Sequence, residues 1–255
     1  MSGARPGTGA VRPGVMVSPT PWTELAILVE DLAALLNAFI QSDRFPCVGA
    51  KAALARDQLR VVRARALDAP HDDVAIRDAL KAFSAELDRD GPQLQSLVVV
   101  FDGPDALDEA AFETALWNRL QALHNLDAVA GEAWASDVST DPASAHFSMS
   151  VAGEPFFVVG LHANASRPSR RFARPALAFN AHRQFEALRE DGRYDVMKTA
   201  IRERERSEHG GINPMLADFG EGREAAQYSG RQVDEDWTAP FTPQPLKQPV
   251  KKDAS

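Results

Sequence analysis

His146-Phe147-Ser148-Met149-Ser150-Val151-Ala152-Gly153-Glu154-Pro155-Phe156-Phe157-Val158-Val159-Gly160-Leu161 reads as two strands, His146 to Val151 and Phe156 to Leu161, joined by Ala152-Gly153-Glu154-Pro155, which has the length and chemistry of a hairpin connection. Working outward, Ser96 to Phe101 is a short continuous apolar run stopped by Asp102-Gly103-Pro104, and Ala176 to Asn180 is a further short strand. Gln58 to Ala64 is strand-like as well. Helical spacing of apolar residues predicts helices over Pro21 to Gln41, Asp72 to Leu87 with Asp72 or Asp73 as cap, Leu107 to Asn125, His182 to Arg189 and Tyr194 to Glu208. The resulting fold class is α+β: a single domain with a mixed, mostly antiparallel sheet flanked by helices. The domain spans 21–238. Residues 1–20 and the Pro-rich 239–255 have no periodic apolar pattern and read as tails.

The 255 residues are 44% apolar, enough for a substantial core. The net charge of -8 and the pI near 5.3 disfavour a non-specific grip on nucleic acid or an anionic membrane, so small molecules are the expected partners. Glu24, Glu30 and Asp31 interrupt the longest apolar helix, which argues against a membrane span. With one cysteine and no apolar leader after Met1, cytoplasm is the expected compartment. Zinc hydrolase, zinc ribbon, NTPase and Rossmann readings lack their required HExxH, paired CxxC, P-loop and GxGxxG motifs.

The single cysteine stands in Phe45-Pro46-Cys47-Val48-Gly49-Ala50-Lys51, ahead of a helix-prone stretch. Free N–H groups and the helix dipole at such a place can hold a thiolate, which is a metal ligand or nucleophile. Its functional reading is the axial thiolate of a heme iron, with Gly49 giving room for a porphyrin face; an inert buried thiol is the competing reading. A second stretch brings His162 to a strand end, followed by Asn164, Arg167, Arg170 and Arg171. The histidine is a metal ligand or a hydrogen-bond donor there, and the arginines are partners for carboxylates such as heme propionates, or a solvated face. A third places Asn180 as an N-cap and His182 in the first helical turn, where the dipole keeps it a neutral ligand or base. A fourth, Gly210 to Leu216 with Tyr228 to Arg231, suits a loop over a site, with Asn213, Tyr228 and Arg231 to bind a polar substrate, or a plain connecting loop. His124 is a remote metal-ligand candidate.

Phe45-Pro46-Cys47, the Trp117 to His124 helix, Phe156 to Ser166 with Arg170-Arg171-Phe172, Phe179-Asn180 to Phe185, and Ile212 to Leu216 through Gln227 to Arg231 together resemble the YqcI/YcgG family over about residues 22–233. Characterised relatives include heme-dependent N-hydroxylases of guanidino amino acids, in cycloserine and guanitoxin biosynthesis. The resemblance implies a monooxygenase that binds heme b and N-hydroxylates arginine or a related guanidine, using O2 or peroxide and an electron donor. Cys47 is the expected iron ligand and catalytic residue, with His162 as its alternative. Gly49, Asn164, Arg167, Arg170, Arg171 and His182 are the other expected cofactor contacts. Asn180, Asn213, Tyr228 and Arg231 are the expected substrate contacts, and Asp137 and Asp141 weaker holds for the guanidinium. The family pattern Phe-Pro-Cys-x-Phe-Gly is one residue longer than Cys47-Val48-Gly49 here, so an aromatic ring is missing. A non-catalytic heme carrier or sensor, a redox-sensing thiol protein and a homodimeric assembly complete the expectations.

Overall fold

The computed structural model of the chain describes residues 21–87, 94–211, 215 and 218–245. Five strands, β1 (Leu59–Ala66), β2 (Ser96–Gly103), β3 (Met149–Val151), β4 (Glu154–Leu161) and β5 (Ala176–Ala181), form one sheet in the order β1-β2-β5-β4-β3. Only β1 and β2 pair in parallel, and a helix crosses between them, as a parallel connection requires. The helices are α1 (Pro21–Gln41), α2 (Val48–Ala55), α3 (Asp73–Glu86), α4 (Glu109–Ala130), α5 (His182–Glu190) and α6 (Arg193–His209).

Strand alternation divides the sheet into two unlike faces. Leu97, Val99 and Phe101 of β2, Leu177 and Phe179 of β5 and Phe156 and Val158 of β4 point one way, into a large core closed by Ile76, Leu80 and Phe83 of α3 and Phe112, Leu116, Trp117 and Leu120 of α4. The opposite face carries Ser96, Val98 and Val100 of β2, which stand directly opposite Asn180, Ala178 and Ala176 of β5. These in turn face Phe157, Val159 and Leu161 of β4. Leu36 and Ile40 of α1 and Phe172 cover one end of this second face.

Three local readings need correction. The hairpin turns through two residues, with Ala152 at φ 53 and Gly153 at φ 77, so Glu154 and Pro155 already belong to β4 and pair with Val151 and Ser150. Two consecutive positive φ values match the twist of the flanking strands, and the Ala152 N–H is fixed by Asp127 Oδ2 at 2.7 Å. The first hairpin strand is correspondingly short, Met149–Val151. Asp72 precedes α3 without capping it, because its carboxylate takes the backbone N–H and the guanidinium of Arg65.

The stretch 239–245, assigned to a tail, is anchored at Phe241, with Thr242 to Pro245 exposed. Phe241 is buried among Trp117, His124, Trp134 and Phe147. The Thr242 N–H donates to Gln121 Oε1 and the Gln244 N–H to His124 Nε2. A single aromatic anchor offsets the ordering cost that composition alone assigns to this stretch. It also accounts for His124, whose ring nitrogen caps the strap.

Gly160 shows how closely α4 lies on the sheet. A Cβ there would stand 2.6 Å from Phe112 Cε1 and 2.9 Å from Leu116 Cδ1. Gly160→Ala is therefore expected to lower stability by about 1–3 kcal/mol, the usual range for overpacking, as read from urea denaturation midpoints; a midpoint unchanged from the parent would show that α4 gives way freely.

Candidate functional site

On the second sheet face, β5 supplies only Ala176, Ala178 and Asn180 between the larger side chains of β2 and β4, and the small residues leave space above the sheet. A cavity of about 310 Å³ occupies it. Ser96, Val98, Ala178, Asn180, Phe157 and Val159 form its floor, and Phe39, Phe45, Cys47 and Phe185 are among its walls. Its volume is at the lower end of the roughly 300–1,000 Å³ usual for small-molecule and cofactor pockets, and like them it is mostly apolar with a few convergent polar groups. Asn180 serves the floor and not the helix: Ser96 Oγ donates to its Oδ1 at 2.6 Å, its Nδ2 donates to the Phe157 carbonyl at 3.1 Å, and α5 begins after Ala181 without a side-chain cap.

Cys47 is the N-cap of α2, and its Sγ accepts the Ala50 N–H at 3.4 Å. The expected placement at a helix start is met, but the expected ionisation is reversed. Burial pushes the thiol up, the Ala50 and Gly49 N–H groups oppose this, and the negative charge of Glu205 adds to the rise. The ionised form is correspondingly disfavoured, and a metal cation bound at the sulfur would release the proton. Gly49 answers to packing: a Cβ would come within 2.8 Å of Leu94 Cδ1 and 3.2 Å of Met197 Sδ.

Several sequence candidates lie elsewhere. His162 continues the parity of Phe156, Val158 and Gly160, so it falls on the far face of the sheet, where it stacks on Phe112 with ring centroids 4.3 Å apart. It does not line the cavity with Cys47. Asn164 donates to the Leu107 carbonyl, and Arg171 to the carbonyls of Ala165 and Ser166, which folds the loop after β4 on itself. Arg170 reaches the cavity but is committed to the carbonyls of Gly160, Gln227 and Tyr228; its burial lowers its pKa to about 10. Arg167 pairs with Glu205 at 3.4 Å. Tyr228 is fully buried in the large core, and Arg231 is bound to Glu113, so neither meets the cavity. Asp137 and Asp141 are exposed loop residues outside it. Asn213 lies outside the described residues. Of the candidates, Cys47, Gly49, Arg170, Asn180 and His182 converge.

The sequence reading missed the roof. Tyr194, Met197, Lys198, Ile201, Arg202 and Glu205 recur at three- and four-residue intervals along α6 and all line the cavity. Lys198 donates to Asp218 Oδ2 at 2.6 Å, and the Arg189 guanidinium lies 4.3 Å from the centre of the Tyr194 ring. Within Arg-Glu-Arg-Glu-Arg this face is hidden by alternating charge, and only the helical phase of Met197 and Ile201 points to it. Glu224 was missed as well.

A mostly apolar cavity with Cys47 in its wall thus lies on one face of a five-stranded α+β sheet. The chain belongs to the YqcI/YcgG family, which it matches over residues 36–242. It is 31% identical over 197 residues to a Bacillus subtilis (strain 168) relative, "Uncharacterized protein YcgG", covering 73% of this chain and 76% of the relative. A second relative from the same organism, "Uncharacterized protein YqcI", is 26% identical over 187 residues, covering 71% and 72%. No solved structure matches. Among the described residues no helix is long and apolar enough to cross a membrane, and no group of three or more His, Cys, Asp or Glu could hold a metal ion.

Glu224, 4% exposed at the cavity edge, meets Tyr228 Oη at 2.6 Å. The same phenol oxygen accepts the Met149 N–H at 3.0 Å and lies 3.2 Å from the Phe156 carbonyl. A phenol has one proton, and the short 2.6 Å contact directs it to Glu224 Oε1 in preference to the Phe156 carbonyl at 3.2 Å. Burial, opposed by the hydrogen bond with Tyr228, raises Glu224 to about 8. The stability contributed by the neutral carboxyl is complete below its ordinary pKa of 4.5, where the unfolded chain keeps the proton too, and is lost as pH rises through 8. Relative to the parent, Glu224→Gln should therefore gain stability steadily from pH 5 to pH 8 in urea titrations; parallel curves would mean that Glu224 is ionised throughout.

Proposed function

We propose that the chain is a cytoplasmic heme-dependent monooxygenase that binds heme b in this cavity and N-hydroxylates the guanidino group of arginine or a related amino acid. The observation that carries the reading is the Cys47 sulfur set at the start of α2 in the wall of an apolar cavity. A porphyrin supplies four iron donors itself, so one protein sulfur suffices as ligand. The residues fit the group: the walls are apolar, the thiol is one that a metal would ionise, and Arg189, Lys198 and Arg202 offer cations for carboxylates. When bound, the heme supplies oxygen activation, for which a thiolate ligand is suited.

The chain's own residues provide the rest. Phe39, Phe45 and Phe185 exclude water. Glu205 and Asp218 line the cavity as members of ion pairs with Arg167 and Lys198, which a guanidinium and an amino-acid carboxylate would have to share. In overall balance O2, two electrons and two protons convert one N–H to N–OH and release one water; with peroxide as oxidant, no electron donor is needed.

Purified protein supplied with hemin is expected to show a Soret band at one heme per chain, and its reduced carbon monoxide complex to absorb at the position typical of thiolate-ligated iron, a signature lost in Cys47→Ala. Ala178→Phe, which fills the floor, should fold normally and bind no heme. Arginine with reductant and O2 should gain one oxygen by mass. Heme binding without that gain would favour the carrier or sensor alternative, and a protein that stays colourless with hemin would remove both.

A further inference from the structure

Asn180 stands in the cavity floor between Ser96 of β2 and Phe157 of β4, in one cross-strand row. The Phe157 carbonyl can only accept, so the amide nitrogen must be the atom that faces it, at 3.1 Å. The amide oxygen is thereby turned to Ser96, whose hydroxyl donates at 2.6 Å. The carboxamide lies across the strands. In a planar amide one N–H runs antiparallel to the C=O bond and the other parallel to the Cβ–Cγ bond. With Oδ1 toward β2, the antiparallel N–H is the one directed at β4 and taken by Phe157. The other follows the Cβ–Cγ bond away from the sheet, the direction in which strand side chains stand, and has no partner among the described residues. Asn180 is partly exposed, so this donor opens on the cavity.

A donor left unmet beside apolar walls is costly, and a ligand that brings an acceptor relieves it. Phe39, Phe45 and Phe185 in those walls suit an apolar body. Most cations of the lining are committed: Lys198 to Asp218, Arg189 to Glu186 and Arg170 to three backbone carbonyls. Arg202, in the roof, forms no ion pair among the described residues and acts on Asp218 only at longer range. We propose that the cavity takes an otherwise apolar molecule by its carboxylate, one oxygen accepting the free N–H of Asn180 while Arg202 supplies the countercharge. An ammonium or guanidinium group has no acceptor to offer that N–H, so the floor selects against a cation there. The carboxylate can come from a porphyrin or from a small organic acid, and the assignment does not require heme.

The test titrates 15N-labelled full-length protein with hydrocinnamate, with phenethylamine as a cation on the same apolar body, and with metal-free protoporphyrin as a larger carboxylate. The two side-chain amide protons of Asn180 are told apart by Overhauser contacts, the outward one being farther from the Asn180 β protons, so no variant is needed to assign them. Hydrocinnamate or the porphyrin should move the outward proton downfield and leave the proton bonded to Phe157 nearly in place; phenethylamine should move neither. Arg202→Gln, at a partly exposed position, should need about 10-fold more carboxylate for the same shift, the usual effect of losing a hydrogen bond to a charged group. Movement with hydrocinnamate assigns the site to small acids, and movement with the porphyrin alone assigns it to a porphyrin carboxylate. An outward proton indifferent to both carboxylates, a response to phenethylamine, or equal carboxylate affinity in Arg202→Gln and the parent would overturn the assignment. Hydrocinnamate binding by a protein that stays colourless with hemin would uphold it and remove the heme reading instead.

Discussion

Everything in this molecule depends on the two-residue alternation of three neighbouring strands, β2, β5 and β4. Because their register sets Ser96, Asn180 and Phe157 in one row and Val98, Ala178 and Val159 in the next, the small side chains of β5 meet in the centre of one sheet face. The large ones, Leu177 and Phe179, go to the other face and lock α3 and α4 in place. One face is thereby close-packed and the other hollow. A slip of one residue in β5 would exchange the two sets and leave neither a core nor a cavity.

The hollow face is enclosed by elements of different character. At one end α1 and Phe172 pack in ordinary apolar fashion. The roof, α6, carries charge along its inner stripe, with Lys198, Arg202 and Glu205 beside Met197 and Ile201. Such a stripe would make a poor core, since buried charges need partners. Here Glu205 is paired with Arg167 and Lys198 with Asp218. Arg170 serves another purpose: its guanidinium is spent on three backbone carbonyls, tying the segment around Tyr228 to β4.

Much of this was legible in the residues and some was not, for identifiable reasons. The hairpin, the buried strand Ser96–Phe101 and the helix over Pro21–Gln41 carry strong periodicity, and the structure has them within a few residues. Cys47 as a helix-start residue was readable from Pro46 and the helix-prone run behind it. Its raised pKa was not, because local hydrogen bonds favour ionisation whereas the tertiary burial that opposes them has no local signature. His162 does stand at the end of its strand, and the alternation of Phe157, Val159 and Leu161 against Phe156, Val158 and Gly160 carries the further signal that it lies on the face away from Cys47. Phe241 was lost among prolines, and Glu205 within a run that resembles a solvated face.

The central proposal is that Cys47 would supply its sulfur to the iron of a heme bound in this cavity. X-ray absorption at the iron edge of hemin-loaded protein tests it most directly. The account predicts a sulfur scatterer in the first coordination shell of the parent, replaced by nitrogen or oxygen in Cys47→Ser. A parent spectrum with light scatterers alone, or a sulfur shell that survives the substitution, would contradict it.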